Sequence, residues 1–145
     1  MNRDFVEMLS ALAEAGAEFL IVGAHALAAH GVPRATGDLD IWVNTTSDNA
    51  TRVMAALVAF GAPLLDLTLA DLTTPDTVFQ IGQVPNRVDI LTGVSGVSFS
   101  DAWPRRVLLR IEGIDVPVLS RQDFVVNKRT TGRPKDLLDL ELLGD

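Results

Sequence analysis

The chain has 145 residues with no break in composition, Pro-rich linker, low-complexity tract or internal repeat, so a single domain over residues 1–145 with one hydrophobic core is expected. Cysteine is absent, which excludes disulfide frameworks and thiolate metal sites and leaves the cytoplasm as the expected compartment. The formal net charge of -7 is unevenly spread: residues 1–104 carry four Lys and Arg against twelve Asp and Glu, residues 105–145 eight against seven. A uniformly acidic surface repels polyanions, so any polyanionic substrate must be met by a local cationic cluster or through bound cations.

At the N-terminus, Asn2 or Asp4 caps a predicted helix with Phe5, Met8, Leu9, Leu12 and Ala13 at helical spacing, ending near Gly16. Its mixed charges are unlike a signal peptide, and no apolar run approaches a membrane span, so no membrane contact is expected. "EFLIVGA" reads as a strand stopping at Gly23, and the Ala-rich "GAHALAAHG" as a short helix ending at Gly31. Val32-Pro33 forces extended backbone before the strand "DLDIWVN". Ser47 can cap the helix "DNATRVMAALVAFG", with Gly61 as its stop.

"LLDLTLADLTTPD" carries no decisive pattern. "TVFQIG" and "NRVDIL" read as strands around a turn at "QVPN", and "RVLLRIEGIDVPVL" as a hairpin around Glu112-Gly113. Ser120 caps the helix "SRQDFVVNKRTTG", which ends at Gly132, and Pro134 opens the last helix, which closes at Gly144. The order of helices and strands predicts an α/β or α+β domain, a sheet flanked by helices.

The chemistry is concentrated in carboxylates. Side chains on a strand alternate, so Asp38 and Asp40 share one face while Leu39 and Ile41 take the other. Two such carboxylates repel and lose hydration, at a cost of about several kcal/mol, unless a cation sits between them. A divalent metal answers that need: hard cations such as magnesium take oxygen ligands and keep waters that phosphate oxygens can replace. A D-x-D pair alone is common. Here Gly23 follows a strand and opens a helix upstream, an arrangement that brings backbone N–H groups and a positive helix end toward an anion.

These stretches, "LIVGAHALAAHG", "RATGDLDI" and "RVDIL", resemble the DNA polymerase beta nucleotidyltransferase superfamily, in particular its small bacterial members of the minimal and abortive-infection (AbiEii-type) toxin branch. The resemblance implies the nucleotidyltransferase fold, a mixed sheet flanked by helices. It implies a phosphate loop at Gly23 and Ala24, paired ligands for Mg2+ at Asp38 and Asp40, and a third carboxylate at Asp89. "NKRTTGRPKDLLDLELL" is similar to the C-terminal K-x(n)-R-x-K-D-x-x-D-x-x-x-L element of the toxin-like branch, so the likeness covers about residues 19–44, 86–91 and 120–143. Ala24 stands where glycine or serine is usual; it offers an N–H without a hydroxyl.

Arg34 is either a phosphate contact beside Asp38 or a solvated loop residue. Lys128, Arg133 and Lys135 cluster where a triphosphate or RNA backbone could be neutralised. The competing account has Lys135 paired with Asp139 at i,i+4 and Asp136 complementing the helix dipole, all on the surface. Leu137, Leu138, Leu140, Leu142 and Leu143 read as helix core, with a partner subunit as the alternative cover. His25 and His30 lie about 140° apart by the helical period and form no metal pair; Trp42 and Trp103 read as core or interface. "GVSGVS" is no nucleophile elbow, and no P-loop lysine follows a glycine-rich turn.

The expected activity is Mg2+-dependent transfer of a nucleoside monophosphate from an NTP to a hydroxyl acceptor, RNA or protein among the candidates, in a toxin–antitoxin setting. Asp38, Asp40 and Asp89 form the catalytic and metal set; Gly23, Ala24, Arg34, Lys128, Arg133 and Lys135 bind the nucleotide. The competing expectation is an antitoxin-like module that binds a partner protein and keeps a vestigial site.

Overall fold

The computed structural model describes residues 1–34 and 37–145; Ala35 and Thr36, inside the quoted "RATGDLDI", lie outside the described residues. The chain runs α1 (Arg3–Glu14), β1 (Phe19–Val22), α2 (Gly23–Ala29), β2 (Asp38–Val43), α3 (Ser47–Phe60), α4 (Leu69–Thr73), β3 (Val78–Ile81), β4 (Arg87–Leu91) and α5 (Phe99–Ala102). A 3-10 turn (Trp103–Arg105), β5 (Val107–Ile111), β6 (Ile114–Val118), α6 (Arg121–Thr131) and α7 (Pro134–Leu143) complete it.

Six strands form one mixed sheet in the order β3-β4-β2-β1-β6-β5. β1 lies antiparallel to β2 and parallel to β6, β2 is parallel to β4, and the β3–β4 and β5–β6 pairs are antiparallel. The fold is therefore a mixed α/β sheet flanked by helices, as the element order predicts.

Local chemistry sets the boundaries. Asn2 caps α1 by accepting from the Asp4 N–H, and Thr46, one residue ahead of the expected Ser47, caps α3 by accepting from the Asn49 N–H. Asn49 is then free to turn inward, where its side chain bonds the backbone of Glu18 and Asn44 and ties α3 to the ends of β1 and β2. The undecided stretch before β3 contains α4, held by a capping box between Thr68 and Asp71.

Burial separates the two faces of β2. Leu39, Ile41 and Val43 are fully buried, joining Leu20 and Ile21 of β1, Leu9 and Leu12 of α1, and Val53 and Leu57 of α3 in the core. Truncating any of these leucines to alanine costs about 2–5 kcal/mol. Asp38, Asp40 and Trp42 take the other face, where Trp42 is covered by Phe99 at 5.1 Å between ring centroids and Phe99 stacks on Trp103 at 5.6 Å. The aromatic end of that face is closed, and the aspartate end borders a cleft.

Two expectations for α7 are corrected. Leu140 is buried and Leu143 half-buried, but Leu137, Leu138 and Leu142 are exposed, whereas Asp136 and Asp139 are buried. The inward stripe of α7 is Asp136, Asp139, Leu140 and Leu143, an i, i+3, i+4, i+7 series in which two positions are acids.

Candidate active site

The site is built on the parallel pair β2–β4. Their register sets Asp38 beside Arg87 and Asp40 beside Asp89, so all four side chains lie on one face of the sheet. On the edge strand β3, Gln80 is the partner of Asp89 and extends the polar row to the sheet margin.

Three carboxylates this close need counter-charge, and Arg87 supplies part of it. Its guanidinium stands 2.7 Å from Asp38 Oδ2 and 3.1 Å from Asp89 Oδ1. Burial, then repulsion from Asp89, a hydrogen bond shared with it, and repulsion from Asp38 together push the Asp40 carboxyl up to about 6, against the pull of Arg87. Burial also pushes Asp89 up, with Arg87 again opposing. Among the described residues, no group of three metal-ligating side chains forms a ready cage; Arg87 bridges two of the three carboxylates instead. Arg87 was not singled out from the sequence; its position two residues before Asp89, on the same face of a strand, was the available signal.

Gly23 brings α2 against this row. Its φ of +66° suits glycine, and a Cβ there would stand 2.3 Å from Asp40 Oδ2, so no other residue fits without moving the carboxylate. His25, in the first turn of α2, packs edge-on against Phe5 at 5.5 Å, and its ring is hydrogen-bonded to the Asp38 backbone. Burial lowers its pKa, which keeps the imidazole neutral at pH 7. His30 bonds the Leu119 carbonyl oxygen at 2.7 Å and so links α2 to the end of β6.

A cleft of about 240 Å3 is lined by Gly23, Ala24, Arg34, Asp38, Asp40, Lys128, Arg133, Lys135 and Asp139. A second hollow of about 230 Å3 shares Gly23, Asp40, Lys128 and Arg133 and reaches Gly93, Ser95 and Asn127. The cleft thus brings together every residue singled out from the sequence except Asp89, which stands behind Asp40 on β4.

The cations across from Asp40 are held by the buried acids of α7. Arg133 Nε lies 2.7 Å from Asp136 Oδ2, and Lys128 Nζ lies 3.3 Å from Asp136 and 3.7 Å from Asp139. Arg34 is bound to Asp139 at 2.6 Å and lines the cleft, so it is not simply a solvated loop residue. Burial presses the Asp136 carboxyl upward, yet hydrogen bonds from Arg133, Thr131 and Lys128 outweigh it and hold the group well below the usual carboxylate range. The expected surface pairing of Lys135 with Asp139 is replaced by this buried cluster, with Lys135 exposed at the rim.

No protein-family model and no curated protein sequence matches this chain. Among solved structures it is similar to the crystal structure of a candidate nucleotidyltransferase from Thermotoga maritima, with a TM-score of 0.65, 15% identity, and coverage of 96% of this chain and 89% of that one. At that identity the likeness is one of fold: the mixed sheet and its helices form a nucleotidyltransferase fold.

Proposed function

We propose that this chain transfers a nucleoside monophosphate from an NTP to a hydroxyl acceptor. The observation that carries this reading is one cleft with Asp38 and Asp40 of β2 on one side, backed by Asp89 of β4, and a surplus of cation on the α6–α7 side. That polarity matches a metal-bound triphosphate, whose cation and phosphates need opposite surroundings.

The donor chemistry fits a hard divalent cation. Asp40 and Asp89 share a hydrogen bond, and burial first of all makes both hold protons more tightly than ordinary carboxyls, a cost that a bound cation would relieve. Asp38, Asp40 and Asp89 would hold Mg2+, which would neutralise the triphosphate and polarise the reacting phosphorus.

The remaining work falls to the chain. Lys128 and Arg133 meet the phosphates, with Lys135 at the rim and Arg34 on the same wall, while Gly23 lets α2 approach Asp40 closely enough to close the floor. The acceptor would approach Asp89 from the side of Gln80, its neighbour on the edge strand β3. Its oxygen bonds to the α-phosphorus as the α–β phosphoanhydride bond breaks. Pyrophosphate leaves with the electron pair, and Asp89, already biased toward proton binding, takes the hydroxyl proton.

Magnesium dependence, cytoplasmic location and a toxin–antitoxin setting belong to this proposal; among the described residues no helix is long and apolar enough to cross a membrane. One observation favours a second reading. Arg87 already pairs with Asp38 and Asp89, as in a site retained for structure, and an inactive fold would then serve as an antitoxin-like module binding a partner protein.

Incubation with each labelled NTP, Mg2+ and total RNA or lysate separates the two. The enzyme reading expects label in an acceptor and none with Asp89→Asn, which keeps much of the NTP affinity because it acts mainly on the transition state. Equal labelling by Asp89→Asn overturns the role of Asp89, and no labelling with any NTP favours the binding module.

A further inference from the structure

β5 breaks the usual pattern of a half-buried strand. Val107, Leu108 and Leu109 are 47%, 58% and 37% exposed, so neither face is covered, and β5 ends the sheet, so among the described residues its outer edge has no strand partner. Edges of this kind are normally blocked by charge or twisted away. Here the edge charge, Arg110, is already paired with Asp115 of its own hairpin at 3.0 Å.

The hairpin determines which backbone groups are free. Its two turn residues, Glu112 and Gly113, have φ of 44° and 86°, and they join the paired Ile111 and Ile114. A type I′ connection of this sort is flanked by a pair that exchanges both hydrogen bonds. Such pairs alternate along an antiparallel ladder, so Val107, Leu109 and Ile111 bond β6, while Leu108 and Arg110 turn their N–H and C=O groups outward. Pro117, opposite Leu108, agrees with this phase, since it has no N–H to give β5.

We propose that β5 is the contact between two copies of this chain, each β5 pairing antiparallel with the other about a two-fold axis through Leu109. The outward groups of Leu108 and Arg110 can meet those of a second copy in three registers. Centred on Leu108, the pairing sets Arg106 against Arg110. Centred on Arg110, it sets that arginine against itself. Centred on Leu109, Leu108 bonds Arg110 in both directions, Val107 faces Ile111, and Arg106 faces Glu112 at each end. Like charges directly opposed destabilise a strand pair and opposite charges stabilise it, so charge selects the third register. The contact is self-complementary, as a two-fold interface requires, which makes a second copy the occupant. It would join two six-stranded sheets edge to edge.

Sedimentation velocity over a concentration series tests this. The wild-type chain is expected to be a dimer, and Arg106→Glu or Glu112→Arg to raise its dissociation constant by about tenfold or more, since each substitution acts at both ends of the contact. The double variant Arg106→Glu/Glu112→Arg restores opposite charges and is expected to return within about threefold of wild type. Arg106 also stacks over Trp103 at 4.0 Å, so this rescue separates pairing from a local packing defect. A monomeric wild type, a dimer insensitive to both single substitutions, or a double variant no tighter than the singles overturns the proposal. Dissociation by Leu138→Glu with no effect of Glu112→Arg places the contact on α7 and also overturns it.

Discussion

Two groups of aspartates are kept from water on the two sides of one cleft, and they are neutralised in opposite ways. On β2 and β4, Arg87 pairs with Asp38 and Asp89 and lies beside Asp40. On α7, Asp136 and Asp139 meet Lys128, Arg133 and Arg34. Asp136 has no exposure at all, yet its carboxyl is held low, while the less buried Asp40 is pushed up to about 6. Exposure alone therefore does not decide which way these acids shift. Hydrogen bonds from cations decide it at Asp136, whereas at Asp40 burial and the neighbouring carboxylates outweigh Arg87.

The sharpest break in this contrast is Asp136→Ala. It leaves Arg133, Lys128 and Thr131 without their common partner, and urea unfolding is expected to show a loss of about 3–5 kcal/mol. Asp40→Asn is expected to act with the opposite sign. Because the folded pKa of Asp40, about 6, lies above the ordinary carboxylate value, its protonation stabilises the fold fully below about pH 4, and this contribution disappears as pH rises through about 6. Asparagine does not titrate. In chelator at pH 7.5 the variant is expected to gain on the order of 1–2 kcal/mol, allowing for partial exposure, and to lose that advantage below about pH 4. A destabilised Asp40→Asn at neutral pH breaks the comparison.

Arg87→Met tests the same balance from the cationic side. The metal-free protein should lose about 1 kcal/mol, since the guanidinium is partly solvated, and millimolar Mg2+ should recover most of the lost thermal stability. The cleft cations are read in binding rather than in stability. Lys128→Ala is expected to weaken NTP binding about tenfold by calorimetry, and the exposed Lys135→Ala no more than about threefold. Unchanged affinity in Lys128→Ala would make the C-terminal cluster structural only.

Period-two alternation in "DLDIW" was enough to put Asp38 and Asp40 on one face, because it depends only on local backbone geometry. The partnership of Asp40 with Asp89 depends on β2 and β4 being neighbours with β3 outside them, a non-local order that the family resemblance implied but local periodicity does not encode. The α7 acids were misread for a different reason. Charged residues in a leucine-rich helix look like its wet face, whereas here the leucines at 137, 138 and 142 are exposed and Asp136 and Asp139 turn inward to cations from α6 and two loops. The i, i+3, i+4, i+7 spacing of Asp136, Asp139, Leu140 and Leu143 was the visible signal, and it conflicted with hydropathy. Gly23 was legible as a turn, but its contact with Asp40 needed the fold.

The central claim is that the carboxylate-rich and cation-rich sides act together on one metal-bound nucleotide. Thermal unfolding in the presence of NTP, Mg2+, or both tests it most directly, because a ligand bound only by the native state raises the midpoint by mass action. The account predicts a clear rise with NTP and Mg2+ together, little with NTP alone, and none with both in Asp40→Asn. No rise with any NTP at millimolar concentration, or an equal rise in Asp40→Asn, would contradict it.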